Sequence, residues 1–167
     1  PAVVQATKMG YLFILNRETG EPLFPIVERA VPGSDVEGES PWPTQPVPVL
    51  PPPLVPQELE PDDACGLTPF DRRACRRRIE ALRYEGIFTP PSLRGSIVHP
   101  GFIGGMEWGG VAFDPASGLL ITNTNRIATV ATLIPTGAVG ADGADANAKS
   151  SVARQTPVRC AEVVVHP

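Results

Sequence analysis

The chain has 167 residues, a net charge of -4 and an apolar fraction of 42%, which is enough for one domain with a hydrophobic core. The acidic net charge, and the concentration of arginines in one short segment, argue against a nucleic-acid partner. The 21 prolines and 16 glycines exceed average usage and predict much loop. No apolar stretch reaches the roughly 18 residues that cross a bilayer.

The N-terminal residues predict a β-meander. Residues 3–7 and 11–15 are β-branched and aromatic runs separated by Lys8, Met9 and Gly10, which indicates a tight hairpin. The turn NRETG follows, and residues 21–27 are expected to form a third strand. One such meander cannot bury both of its faces, so more copies are needed. Because the chain starts at proline within a strand-like run, we expect a processed or excised piece of a longer protein.

A proline-dense segment, PWPTQPVPVLPPPLVPQELEP, occupies residues 41–61. Such a composition favours extended, largely polyproline II backbone. We interpret the segment as a loop that wraps the surface. The alternative is a PxxP ligand for an SH3-type partner, which leaves the rest of the chain unexplained.

A helix is predicted over residues 69–82, with Thr68 as its cap, Pro69 at its first position and Asp71 near its free N–H groups. Its apolar side is expected to comprise Phe70, Ala74, Ile79 and Leu82. Four arginines lie elsewhere on its surface: Arg72, Arg73, Arg76 and Arg77. We expect them to pair with nearby carboxylates rather than bind phosphate, and the candidates are Asp62, Asp63, Glu80 and Glu85.

The three cysteines, Cys65, Cys75 and Cys160, have neither CxxC spacing nor neighbouring histidines, which argues against a zinc or thioredoxin-type site. A disulfide between Cys65 and Cys75 and a pair of buried free thiols both remain open. His99 and His166 are isolated, and we interpret them as structural.

A long irregular run, residues 82–110, is dense in glycine, proline and aromatic residues, and loops this specified often carry function. A second strand-turn-strand unit follows, with strands at 111–113 and 119–122 around a turn at 114–118. Residues 136–151 have little apolar content and are expected to be flexible. The run AEVVV near the C-terminus is strand-like.

No self-contained catalytic set is present. The glycines of the run GGMEWGG match neither GxGxxG nor the P-loop, and GxSxG, HExxH and EF-hand patterns are absent from the sequence. Lys8, at a hairpin tip, could reach a carboxylate or quinone oxygen of a ligand, although most loop lysines are simply solvated. Glu107 and Trp108 lie between two glycine pairs, which would let backbone approach a flat ligand. A buried structural tryptophan is the alternative.

Several motifs, in order and spacing, resemble membrane glucose dehydrogenase and related quinoprotein dehydrogenases that use pyrroloquinoline quinone (PQQ). They are TKMGYLFILNRETGEP, PTQPVP, LRYEGIFTPPSLRGSIVHPG, GGMEWGGVAFDP, and LLITNTN followed by LIP. The resemblance covers residues 1–135 and implies an all-β fold, part of an eight-bladed β-propeller with W-shaped four-stranded blades. Blade strands would lie in 1–27 and 107–123, with the proline-rich loop (41–61) and one short helix (68–82) inserted. Residues 136–167 would form a low-complexity or divergent tail.

The resemblance also implies a site. PQQ would lie on the propeller axis beside a divalent cation, usually Ca²⁺, and Lys8 would contact its ortho-quinone oxygens. Glu107 and Trp108 would face the cofactor from another blade, and Asn123 would lie near the same pocket. The aspartate base, the stacking tryptophan and most cation ligands belong to upstream blades. This segment therefore carries no catalytic residue or metal ligand, and we expect it to be inactive alone.

The implied reaction oxidises a sugar or polyol hydroxyl and passes electrons to a membrane quinone. The implied location is the periplasm, with any inner-membrane anchor N-terminal to Pro1. A noncatalytic propeller that serves as a binding or assembly scaffold is the rival hypothesis. Lys8 together with Glu107 and Trp108 favours the enzyme, because a scaffold needs no charged group at the axis. The sequence leaves open which sugar, quinate-like compound or polyol is oxidised.

Overall fold

The computed structural model describes residues 1–64, 66–107 and 109–134, and the backbone of 152–157. This part of the chain is built mainly of short strands. They are β1 (Ala2–Ala6), β2 (Leu12–Asn16), β3 (Ile26–Ala30), β4 (Thr44–Pro48), β5 (Ser96–Val98), β6 (Ala112–Asp114), β7 (Leu119–Ile121), β8 (Thr129–Ile134) and β9 (Val152–Pro157). One α-helix, α1 (Pro69–Ala81), follows a 3₁₀ helix at Pro61–Asp63.

Among the described residues, the strands β1–β9 pair antiparallel, and two isolated bridges, Arg83–Ser96 and Ser92–Thr132, are parallel. Three hairpins are formed by β1–β2, β3–β4 and β6–β7, and β8 lies between β5 and β9 in a three-stranded sheet. The first hairpin has the predicted position. Its turn closes with hydrogen bonds from Thr7 N to Tyr11 O (3.0 Å) and from Gly10 N to Thr7 O (2.9 Å), which puts Lys8 at the tip.

The third strand predicted over 21–27 is wrong in position. Its first residues pair briefly with β2, where a bridge between Leu15 and Pro22 is flanked by hydrogen bonds from Asn16 N to Glu21 O (2.8 Å) and from Leu23 N to Ile14 O (2.9 Å). The next strand, β3, begins only at Ile26 and pairs with β4. Pro22 and Pro25 explain the shift, because proline has no N–H to donate to a sheet ladder.

The proline-rich segment was predicted to be a loop throughout, and this prediction is wrong for part of it. Its residues Thr44–Pro48 form β4, which pairs with β3 in the register Ile26 to Pro48. Prolines are tolerated there because an edge strand has one side without ladder partners. Past β4 the segment folds back onto the first hairpin, where Leu54 N donates to Gly10 O at 2.9 Å.

Helix α1 confirms the prediction to within one residue. Thr68 and Asp71 form a reciprocal capping box, with Thr68 Oγ1 accepting from Asp71 N at 3.2 Å. The predicted apolar side is partly wrong: Cys75 and Ile79 are buried, whereas Phe70 is 84% exposed.

Cys75 is disulfide-bonded, which excludes a free thiol there, and both other cysteines lie outside the described residues.

The predicted ion pairing of the helix is confirmed for Arg76, which contacts Asp62 and, at 2.9 Å, Glu80. These contacts raise the pKa of the Arg76 guanidinium, first through its hydrogen bond with Glu80. Glu85 pairs with Arg83 at 2.6 Å rather than with the helix.

One core cluster forms under the helix among the described residues, from Ala64, Cys75, Ile79 and Ile97.

The β6–β7 hairpin lies within about one residue of its predicted strands. By contrast with the core cluster, it leaves large apolar side chains exposed. They are Phe113, Leu119, Leu120 and Ile121. Apolar surface of this kind is expected on a repeat unit that packs against neighbouring units. Within the described residues, no helix is long and apolar enough to cross a membrane.

Besides β4, three strands were not predicted from the sequence. Strand β5 lies inside the run that was expected to be irregular, and β8 begins after β7 and ends within the motif LIP. The backbone of β9 pairs with β8 inside the expected tail, between Val152 and Pro157. The proposed flexible segment 136–151 and the run AEVVV lie outside the described residues.

Candidate functional site

The tip of the first hairpin meets the glycine-rich run of residues 101–110. The ammonium of Lys8 lies 2.7 Å from Glu107 Oε1 and donates a hydrogen bond to Phe102 O at 3.0 Å. The Lys8 side chain is 57% exposed and that of Glu107 is 24% exposed. The structure thus brings two of the predicted site residues into direct contact at an accessible surface.

A turn at Gly104 and Gly105 holds the backbone of this site together. Gly105 N donates to Lys8 O at 2.7 Å, and Gly104 N donates to Gly101 O at 2.7 Å. Gly104 has φ +83°, and a Cβ atom there would lie 2.8 Å from Lys8 Cγ. Glycine is therefore required at this position both for its backbone conformation and for the space that the lysine occupies.

The proline-rich segment supports the hairpin tip from another side. Val55 is buried, and its methyl groups fill the space where a Cβ on Gly10 or Gly105 would lie. Gln57 Nε2 donates to Met9 O at 3.0 Å. Sequence reasoning missed this contact, because nothing in the local pattern indicates which loop covers the turn.

The segment after β7 completes the arrangement. Asn123 is exposed, and its Oδ1 lies 2.9 Å from where a Cβ on Gly109 would be, which puts the predicted residue beside the glycine run. Asn125 was missed, although its place in the TNTN repeat of residues 122–125 was a signal. It donates from its main-chain N to Gly105 O at 2.9 Å. Trp108 lies outside the described residues.

The donor set fits an anionic, planar ligand. An ammonium has three N–H donors, and within the described residues Glu107 and Phe102 O account for two. The third can serve an acceptor oxygen of a ligand. Exposed Phe102 and Ile103 side chains lie in the same run and offer apolar surface to a ring system.

Nearby His99 adds no second cation at neutral pH. Its side chain is buried, and desolvation is the main cause that lowers the pKa of its imidazole, with Asp63 and a hydrogen bond to the Arg126 backbone acting in the opposite direction. Among the described residues, no group of three or more His, Cys, Asp or Glu could hold a metal ion.

A cavity of about 460 Å³ lies away from the Lys8 site, between the 3₁₀ helix, the end of α1 and Tyr84. Four carboxylates line it: Glu58, Glu60, Glu80 and Glu85. Their negative charge disfavours the binding of an anionic ligand in this cavity.

Residues 1–165 match the family described as the PQQ β-propeller domain of glucose, ethanol and alcohol dehydrogenases. The chain belongs to this family of quinoprotein oxidoreductases. It is 41% identical over 137 residues to a quinoprotein glucose dehydrogenase of Gluconobacter oxydans, with 82% of this chain and 17% of the relative covered. No solved structure gave a significant match.

Two further relatives carry other substrate names. A quinate/shikimate dehydrogenase (quinone) of Acinetobacter baylyi is 40% identical over 127 residues, which cover 76% of this chain and 16% of the relative. A glycerol dehydrogenase large subunit of Gluconobacter thailandicus is 42% identical over 127 residues, which cover 75% of this chain and 17% of the relative. The chain spans only about a sixth of the length of these relatives. The predicted membership in the quinoprotein dehydrogenases, with its all-β propeller class, is confirmed.

Proposed function

We propose that this chain is the part of a PQQ-dependent dehydrogenase that holds one side of the quinone cofactor. The observation that carries the proposal is the contact of 2.7 Å between Lys8 and Glu107 at an exposed, glycine-lined surface. In a chain of this family, a fixed ammonium at such a surface is suited to an electron-rich quinone oxygen.

The cofactor would supply a two-electron acceptor for the oxidation of an alcohol. Lys8 would donate a charge-assisted hydrogen bond to the ortho-quinone oxygens and favour the negative charge that accumulates there on reduction. Glu107 and the carbonyl of Phe102 would keep the ammonium at one place, so that little reorganisation is needed when the charge develops.

The other site residues would bind and orient. Glu107 and Trp108 would face the cofactor, and the exposed amide of Asn123 would contribute a polar contact beside Gly109. The absence of side chains at the glycines of this run would let the ring system approach the backbone closely.

The rest of the site would come from beyond the chain. A divalent cation, Ca²⁺ by resemblance, would be held mainly by other blades, which would also supply the aspartate base and the stacking tryptophan. The chain alone should therefore be inactive. The exposed apolar surface of β6–β7 supports packing against further blades, in a propeller of eight. Residues 1–135 would form the propeller part and 136–167 a divergent tail.

For the whole protein we propose oxidation of a sugar or polyol hydroxyl, with a membrane quinone as the electron acceptor and a periplasmic location. The names of the relatives support this range, since they include glucose, glycerol and quinate dehydrogenases. The rival is a noncatalytic scaffold, which would not need the ammonium at the exposed surface.

The test is reconstitution of the full-length parent protein with PQQ and Ca²⁺, followed by dye reduction with glucose, glycerol and quinate in parallel. We expect dye reduction with at least one of the three and none without added PQQ. A parent that binds PQQ but reduces no dye with these or other alcohols contradicts the enzymatic proposal. A parent that binds no PQQ leaves the scaffold.

A further inference from the structure

We propose that Asn125 is a positioning residue for Lys8: its amide holds the Gly104–Gly105 turn against which the lysine side chain lies. For its effect on the cofactor the proposal rests on the proposed function. Its effect on Lys8 itself does not depend on any ligand.

Asn125 anchors both peptide units of the turn. Its Nδ2 donates to Gly104 O at 2.5 Å, and its main-chain N donates to Gly105 O at 2.9 Å. Its Oδ1 accepts from Ile127 N at 3.2 Å. Because the amide donates from one end and accepts at the other, only one orientation of the side chain satisfies both contacts.

The Gly104–Gly105 turn fixes the position of Lys8. Gly105 N donates to Lys8 O at 2.7 Å, and the Cβ position of Gly104 lies 2.8 Å from Lys8 Cγ. The lysine therefore packs on a turn whose own position depends on Asn125. In the described part of the chain no hydrogen bond joins Asn125 to Lys8, so the asparagine acts through the turn.

The chemistry of an asparagine suits this place better than that of its near-isostere. An aspartate would still accept from Ile127 N, but it would place a carboxylate oxygen opposite the Gly104 carbonyl, where two acceptors repel. An alanine would leave the Gly104 carbonyl without this donor and allow the turn to shift away from Lys8.

The first arm of the test needs no cofactor. The full-length parent is treated briefly with an amine-acetylating reagent, and the acetylated fraction of Lys8 is measured by mass spectrometry. In Asn125→Ala we expect Lys8 to react several-fold faster than in the unaltered protein, because it is no longer held by the turn and Glu107. Thr124→Ala is the matched control, since Thr124 is the exposed neighbour and makes no side-chain hydrogen bond among the described residues.

The second arm measures the dissociation constant of PQQ in the presence of Ca²⁺. Loss of one hydrogen bond of ordinary strength predicts about three- to tenfold weaker binding in Asn125→Ala and no change in Thr124→Ala. In a Lys8→Ala background the Asn125 substitution should have no further effect, whereas a general structural role would weaken binding in both backgrounds.

Unchanged Lys8 acetylation in a folded Asn125→Ala parent overturns the proposal, and so does an Asn125 effect on PQQ binding that persists without Lys8. If Asn125→Ala does not fold, Asn125→Ser serves, because it removes the reach of the amide but keeps a polar side chain. Failure of PQQ to bind the unaltered parent contradicts the proposed function alone, since the acetylation result still decides the role of Asn125.

Discussion

Lys8 Nζ lies 2.7 Å from Glu107 Oε1, although Lys8 belongs to the β1–β2 hairpin and Glu107 to the loop that precedes the β6–β7 hairpin. Their contact makes one surface out of two distant segments. The glycines of the loop allow the approach, and the hairpin turn presents the lysine to solvent.

Replacing Gly104 by alanine should damage the site more than the fold. Gly104 (φ +83°) and Gly20 (φ +77°) have nearly the same left-handed backbone, but only at Gly104 would a Cβ meet the Lys8 side chain. Both substitutions should therefore lower the free energy of unfolding of the parent by about 1–2 kcal/mol. Only Gly104→Ala should also weaken PQQ binding, which is measured by titration. Equal PQQ affinities in the two variants would contradict the proposed contact.

Arg83 should be important for stability. Its side chain is 8% exposed, and it contacts Asp35 at 3.2 Å, Glu85 at 2.6 Å and the carbonyl of Gly33 at 2.6 Å. Arg83→Met should lower the free energy of unfolding by about 2 kcal/mol, because it removes the buried guanidinium together with its hydrogen bonds. The loss is no larger because both carboxylates keep access to water.

The control for Arg83 is Arg76→Met, which removes the exposed ion pairs of Arg76 with Asp62 and Glu80. Denaturant unfolding of the parent protein measures both variants. An Arg83→Met loss no larger than that of Arg76→Met would mean that the Arg83 contacts do not stabilise the fold.

His99 should make the protein less stable in acid. Burial lowers the pKa of its imidazole below the usual 6.5, so the unfolded chain binds a proton more readily than the folded one. Stability is therefore unaffected above about pH 6.5 and falls, by at most ~1.4 kcal/mol per pH unit, as the pH drops from there toward the folded pKa. Asp63 and the hydrogen bond with the Arg126 backbone oppose this lowering of the pKa, and the charge of Arg126 reinforces it.

The measurement is the melting temperature of the parent and of His99→Gln at pH 7.5 and 5.5. The melting temperature of His99→Gln, relative to that of the parent, should be higher at pH 5.5 than at pH 7.5. A difference that does not depend on pH would show that His99 does not titrate with folding.

The elements that local sequence determines were predicted well. The helix α1 follows from Thr68, Pro69 and Asp71, whose capping contacts lie within one turn, and the first hairpin follows from two strand-like runs and a short turn. Neither prediction needed any knowledge of the remaining chain.

The elements that depend on distant partners were not predicted. Strand β4 forms in a proline-rich segment because β3 is beside it, and β5 forms because β8 pairs with it from the far side of the loop. For the same reason Val55 and Asn125 were missed. Each acts on the turn through packing or hydrogen bonds that only the folded chain reveals.

The resemblance to quinoprotein dehydrogenases directed attention to Lys8, Glu107 and Asn123, and the fold puts the first two in contact and the third beside Gly109. Composition alone had given no reason to prefer Lys8 over an ordinary solvated lysine. Their roles toward PQQ stay predictions.

The central claim is most directly tested by the dissociation constant of PQQ, with Ca²⁺ present, for the full-length parent and for Lys8→Ala, with Arg77→Ala as a control at a distant position on α1. Loss of a charge-assisted hydrogen bond predicts roughly 10- to 100-fold weaker binding in Lys8→Ala and no change in Arg77→Ala. Equal affinity of the folded Lys8→Ala variant and the unaltered parent would contradict the placement of the cofactor at this surface.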